Sequence, residues 1–202
     1  MKPLFSLLLI SSLLGCTGRI LNADGSPVAP PVDTGSEVIH FIVPEGSKKA
    51  FQANRPGFQI VEYVPETQSI EQWTDMLTVL IIERSTAPDI DAFLDRMTNT
   101  FHLGCAIESI VEAPVRFLDG QYPAGIQVAI CGKSKKFGTA NVVMYKMIQG
   151  SRGFYQVQRA WNFPAVVRSQ DVPLTTAMRD GAMEQLAPVH LCDRQAPSQN
   201  CP

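Results

Sequence analysis

The chain has 202 residues, 45% hydrophobic and 18% charged, with 17 Lys/Arg against 19 Asp/Glu, a formal charge of −2. That size suits one domain with short appendages. No block of Lys or Arg exists beyond Lys133-Ser134-Lys135-Lys136, read as a solvated hairpin tip, so nucleic acid is not expected as a partner; such partners need a clustered basic face.

In chain order, Lys2 precedes an apolar run of Leu4, Phe5, Leu7, Leu8, Leu9, Ile10, Leu13 and Leu14. A charged lead, a brief apolar stretch and small residues at its end describe an export signal. The run is short of the roughly 20 apolar residues that span a bilayer. Leu13-Leu14-Gly15-Cys16 resembles the lipobox of bacterial lipoproteins. That resemblance implies cleavage after Gly15 and lipidation of Cys16, with Thr17 rather than Asp behind it implying an outer-membrane, periplasm-facing address. A plain signal peptide with an incidental Cys16 is the alternative. Several acyl chains on one residue give stable anchoring, at about 0.8 kcal/mol per buried CH₂. Residues 16–36, rich in Gly, Pro and small polar side chains without apolar periodicity, read as a flexible tether.

The folded body is expected over 37–190, followed by a disulfide-bearing tail at 191–202. Residues 37–43 read as an edge strand stopped by Pro44, and residues 47–56 as a polar turn region. Residues 58–64 alternate, with Phe58, Ile60, Glu62 and Val64 on one side and Gln59, Val61 and Tyr63 on the other. Residues 69–73 suit one helical turn, and the nearly continuous apolar run at 76–83 suits a central strand. A helix follows, with Thr86 as its expected N-cap, Ile90, Phe93, Leu94, Met97 and Phe101 as its stripe, and Gly104 as its stop. Strands are expected within 106–119, broken at Pro114, and at 125–131, 141–148 and 154–161. A last helix opens at 171–174 with Leu174, Ala177, Met178, Ala182 and Leu186 facing inward.

Helices segregated from a mostly antiparallel sheet mean α+β. The order of elements, from Gly57-Phe58 opening a strand that ends at Pro65, through the strand at 76–83 and the helix at 89–101, to the antiparallel strands ending at Trp161, resembles the PsbP-like, or Mog-like, fold. That group includes bacterial DcrB-type lipoproteins and secretion-effector chaperones, and the resemblance implies recognition of a protein partner by a sheet face or groove.

With Cys16 assigned to lipid, Cys105, Cys131, Cys192 and Cys201 remain, and an even number in an exported chain implies disulfides. Of three pairings, Cys105–Cys131 with Cys192–Cys201 is preferred, because the latter two share a Pro/Ser/Asn-rich tail. These loops would contribute roughly 3.5 and 2.7 kcal/mol in the chain-entropy description. Zinc is the rival reading, but no Cys-x-x-Cys occurs and His40, His102 and His190 are scattered. No metal or other cofactor is expected.

Catalytic readings find little support. Gly150-Ser151-Arg152-Gly153 is a hairpin turn rather than a nucleophile elbow, and His102 suits a helix C-terminus. Glu62, Glu66, Glu71, Asp75, Glu83, Asp89 and Asp91 offer carboxylates without setting two apart. Trp73, Tyr63, Tyr155, Trp161 and Arg159 are the candidate binding residues, since Trp and Tyr bring large area with a polar handle; ordinary core packing is the competing reading. The expectation is a non-enzymatic, lipid-anchored envelope protein that binds a protein partner. The alternatives are a small-ligand or cell-wall binder with a pocket lined by Trp73 and Tyr155, and a toxin-neutralising immunity lipoprotein.

Overall fold

The apolar runs of the sequence become strands in the computed structural model, which describes residues 36–83 and 89–195. The strands are β1 (Glu37–His40), β2 (Ser47–Arg55), β3 (Phe58–Pro65), β4 (Asp75–Glu83), β5 (Ile110–Val111), β6 (Val115–Asp119), β7 (Tyr122–Cys131), β8 (Ala140–Gln149), β9 (Gly153–Phe163) and β10 (His190–Asp193). Helix α1 (Ile90–Gly104) lies between β4 and β5, and α2 (Thr176–Leu186) between β9 and β10. Eight strands form one antiparallel sheet in the order β2-β3-β4-β9-β8-β7-β5, with β6 also on β7; β1 and β10 form a separate antiparallel pair. The fold is α+β, a mostly antiparallel sheet flanked by two helices.

β4, β9 and β8 take the middle. One face, carrying Val61, Leu77, Val79, Val142, Ile148 and Val157, is covered by Ala182 and Leu186 of α2 and by Ile39 and Leu191 of the small sheet. The opposite face carries Tyr145, Met147 and Phe154 beneath Ile90, Phe93 and Leu94 of α1, with Phe93 and Phe154 stacked 4.6 Å apart. These three α1 residues begin the stripe read from the sequence.

Several expectations are corrected. Residues 47–55 are a strand, not a turn region. As a sheet edge β2 shows little apolar signal; it exposes Lys48, Lys49, Gln52, Asn54 and Arg55 and bulges between Lys49 and Phe51, features that discourage edge pairing. Its turn into β3 is Pro56-Gly57, with Gly57 at φ 76°. Residues 69–72 make a tight turn rather than a helical one, closed by a Ser69–Gln72 bridge. The cap of α1 is Asp89, which accepts from the Ala92 N–H at 2.8 Å; Thr86 lies outside the described residues. Ala177 is exposed on α2. The folded body continues past residue 190, because β10 pairs with β1 through Asp193.

Cys105 and Cys131 are bonded, with Cα atoms 5.7 Å apart, tying the end of α1 to the end of β7. Cys192 is also disulfide-bonded, while Cys16 and Cys201 lie outside the described residues.

The small sheet is fastened to the large one by a buried carboxylate. Glu37 is 1% exposed. Its Oε1 accepts from the Ser151 N–H at 2.7 Å, and its Oε2 accepts from the Arg152 N–H at 3.1 Å and the Tyr155 hydroxyl at 3.0 Å. The Gly-Ser-Arg-Gly turn between β8 and β9 is therefore an anion cradle. At Gly150 an added Cβ would meet Glu37 Oε2 at 2.6 Å and Tyr155 Cε2 at 2.7 Å, so the turn closes on the carboxylate only without a side chain there.

Glu37→Ala should lower stability by about 1–3 kcal/mol, since it strands the buried Tyr155 hydroxyl and removes the acceptor of two partly buried turn amides. Denaturant unfolding checks this, and amide exchange should accelerate first in β1 and β10. A loss below about 0.5 kcal/mol would contradict the clamp.

Candidate functional site

A rung of polar side chains crosses five adjacent strands on the α1 face. Glu62, Thr78, Gln158, Tyr145 and Gln127 are successive cross-strand partners on β3, β4, β9, β8 and β7. Beneath α1 the rung is saturated. Tyr145 donates to Gln127 Oε1, and Gln127 Nε2 donates to Thr98 Oγ1 at 3.2 Å and to the Glu112 carbonyl at 3.0 Å. Burial pushes the Tyr145 hydroxyl far up. At the other end, Thr78 Oγ1 is buried without a hydrogen-bond partner among the described residues. In the neighbouring row Gln156 donates through Nε2 to Gln158 Oε1 at 2.7 Å, while its Oε1 is buried without a partner among the described residues. Burial pushes Glu62 up to about 7.

The other face holds a second polar group at the start of β4. Asp75 and Arg159 form an ion pair, with the side chains 26% and 20% exposed. Tyr63 and Arg159 both flank Leu77, and Asp75 faces Trp161. Residues two apart on a strand share a face, so Tyr63, Asp75, Arg159 and Trp161 stand together. Three polar atoms here are buried without a partner among the described residues: Tyr63 Oη, Asp75 Oδ1 and Arg159 Nε. Burial pushes the Tyr63 hydroxyl up to about 12, so it stays a donor. Half-buried Trp73 leads into β4, in a loop held by Gln68, whose Nε2 donates to Thr74 Oγ1 at 2.9 Å and whose Oε1 accepts from the Thr74 N–H at 2.8 Å. Phe41 lies beside Tyr63, with ring centroids 6.2 Å apart.

The structure thus gathers Tyr63, Trp161 and Arg159 at one end of the sheet, with Trp73 at the adjoining loop. Tyr155 stands apart near the opposite end of β9, 0% exposed and bound to Glu37. A pocket lined jointly by Trp73 and Tyr155 does not form, because the two mark opposite ends of the paired strands β4 and β9. Tyr63 and Trp161 are themselves core residues at 5% and 9% exposure, and the Tyr63 hydroxyl is buried with them. Asp75, which completes the group, carries no distinguishing mark in the sequence. Glu62 does carry one, since it interrupts an otherwise apolar alternation.

The histidines are less scattered than the sequence suggests. His40 and His190 are cross-strand partners with stacked rings 4.8 Å apart. Burial, then the charges of His190 and Arg194, lower His40. His102, in the last turn of α1, meets Ser109 Oγ through Nδ1 at 2.6 Å. Among the described residues no group of three His, Cys, Asp or Glu side chains is placed to hold a metal. The remaining carboxylates serve locally: Asp89 caps α1, and Asp91 pairs with Arg116.

No family model and no curated protein matches this sequence. Among solved structures, a mutant of protein Mog1 is similar over 77% of this chain and 82% of its own, at 13% identity and a TM-score of 0.43. LpqN of Mycobacterium tuberculosis, described as involved in cell envelope biogenesis, is similar over 79% of this chain and 86% of its own, at 12% identity and a TM-score of 0.40. At that level of likeness neither carries a site or an activity across.

The raised Glu62 carboxyl has a defined consequence for stability. The native state holds its proton up to about pH 7, whereas an unfolded glutamate releases it near 4.5. The contribution is therefore fully present below about 4.5 and lost as pH rises through 7, amounting to about 3 kcal/mol. Glu62→Gln should flatten this slope and be the more stable protein at pH 8, as measured by denaturant unfolding across pH. Parallel wild-type and variant profiles would contradict the assignment.

Proposed function

We propose that this chain is a non-enzymatic, lipid-anchored protein of the cell envelope that binds a protein partner through the Asp75 end of its sheet. The supporting observation is the set Tyr63 Oη, Asp75 Oδ1 and Arg159 Nε, two donors and one acceptor without partners among the described residues. Buried polar groups are normally satisfied, and an unpaired one costs about 1–3 kcal/mol. A main-chain segment of a partner offers both carbonyl acceptors and an amide donor to such a set. Trp73 and Trp161 beside it supply aromatic area of the kind that anchors protein interfaces. The absence of a general base beside a nucleophile among these residues supports binding rather than turnover. Anchoring through Cys16, at the outer membrane and facing the periplasm, rests on the lipobox resemblance of residues 13–16. A toxin-neutralising role would be one form of the same protein recognition.

Tyr63→Phe and Arg159→Gln separate binding from stability. Removing the unpartnered Tyr63 hydroxyl should leave the melting temperature unchanged or a few degrees higher. Arg159→Gln should lower affinity for the envelope protein recovered by crosslinking the wild type by about tenfold or more, because a hydrogen bond from a charged group contributes about 1.5–3 kcal/mol, and Tyr63→Phe, which removes a neutral donor worth about 0.5–1.5 kcal/mol, should lower it by about twofold to tenfold. Recovery of that protein at wild-type level by both folded variants would overturn the proposal.

A further inference from the structure

The end of the sheet where α1 meets the β7–β8 loop carries chemistry unlike the rest of this acidic chain. Lys133, Lys135 and Lys136 are exposed there within four residues, and Phe137 is 45% exposed beside them. Leu103, the penultimate residue of α1, is 74% exposed, and Lys135 Nζ donates to its carbonyl at 2.9 Å. Val167, 86% exposed, follows Val166, whose N–H donates to the Gly132 carbonyl at 2.9 Å. The nearby carboxylate of Asp171 is already held by Arg168 at 2.7 and 2.9 Å.

This tip is held in a fixed shape. Ser134 is buried, and its Oγ accepts from the Lys136 and Phe137 N–H groups, both at 3.3 Å. Its N–H donates to the Thr139 carbonyl at 2.7 Å and its carbonyl accepts from the Gly138 N–H at 2.9 Å. The Lys135 N–H donates to the Gly104 carbonyl at 2.9 Å, and the Cys105–Cys131 disulfide joins the two halves. Inward-turned Ser134 thus forces Lys135, Lys136 and Phe137 outward.

We propose that this tip docks on the anionic surface of a lipid bilayer. Exposed Phe and Leu side chains among lysines are the composition of interfacial membrane contacts, where apolar groups enter the headgroup boundary and cations meet anionic lipid. Each lysine near such a surface contributes about 1 kcal/mol. Charge complementarity selects an anionic bilayer over a zwitterionic one. The aromatic and aliphatic groups select a bilayer over nucleic acid, whose phosphates would use the lysines alone. Glu37 meets the turn after β8, whereas the tip precedes β8, so the two occupy opposite ends of that strand.

The test uses residues 17–202, so that neither the apolar run at 4–14 nor an acyl chain contributes, and vesicles of phosphatidylcholine alone or with phosphatidylglycerol at about 30%, which gives the surface its negative potential. Co-sedimentation should show binding to the anionic vesicles at least tenfold tighter than to the neutral ones, weakening as salt rises. Lys135→Glu/Lys136→Glu should reduce it at least tenfold, and Leu103→Ser/Phe137→Ser should reduce it at low and high salt alike. Lys48→Glu/Lys49→Glu, on the β2 edge, is the control and should bind as the parent does. Equal binding to both vesicle types, or no loss in the folded tip variants, overturns the proposal. Tip-dependent binding of a DNA duplex without binding to vesicles overturns it in favour of nucleic acid.

Discussion

The arrangement depends on where Glu37 goes. A carboxylate at 1% exposure is costly unless every lone pair pointing inward finds a donor, and here two amides of the β8–β9 turn and the Tyr155 hydroxyl supply them. That bond carries β1, and with it β10, onto the large sheet. Ile39, Leu191, Val189 and Leu186 then close over the face carrying Val79, Val157 and Ile148. Lys146 repeats the solution nearby: at 3% exposure it donates to Asp119 Oδ1 at 3.1 Å and to the Val189 carbonyl, with the Phe117 ring 5.3 Å away. Among the described residues, the two fully buried charged side chains, Glu37 and Lys146, are both answered.

That standard gives the unanswered groups their meaning. The rung of polar residues on the α1 face is saturated beneath the helix, while beyond it Thr78 Oγ1 has no partner among the described residues. On the opposite face, Tyr63, Asp75 and Arg159 leave two donors and an acceptor buried near one end of the sheet without partners among the described residues, with Trp161 and Trp73 at the same end. A chain that satisfies Glu37, Lys146 and Gln127 so fully has the means to satisfy these as well, or to replace them with apolar residues at a gain in stability. Their retention is the physical basis of the binding proposal.

Much of the fold was legible because its signals are local. The apolar run 76–83 is the central strand β4, the α1 stripe buries Ile90, Phe93 and Leu94, and Cys105 and Cys131 are bonded. Polar β2 was illegible, since an edge strand is chosen for not looking sticky; the Pro56-Gly57 turn was its available sign. β10 was hidden within a tail-like composition, because its four residues form a strand only against β1. Of the candidate site, Tyr63, Trp161 and Arg159 were recognisable as residue types, but their meeting around Asp75 follows from strand register, which no single segment encodes. Tyr155 was misplaced for the same reason: its hydroxyl answers a glutamate 118 positions away.

A photoreactive phenylalanine derivative in place of Trp73, in the full-length chain, tests the central claim most directly, with the same group in place of Gln121 in the β6–β7 turn for comparison. Trp73 is half-buried where the chain leads into β4 at the Asp75 end, whereas Gln121 is exposed at the opposite end of the sheet, by the start of β7. Illumination of whole cells should give one covalent adduct of defined mass from position 73 and none from position 121. Adducts from position 121 alone, or none from position 73 in a protein that remains folded, would contradict the account.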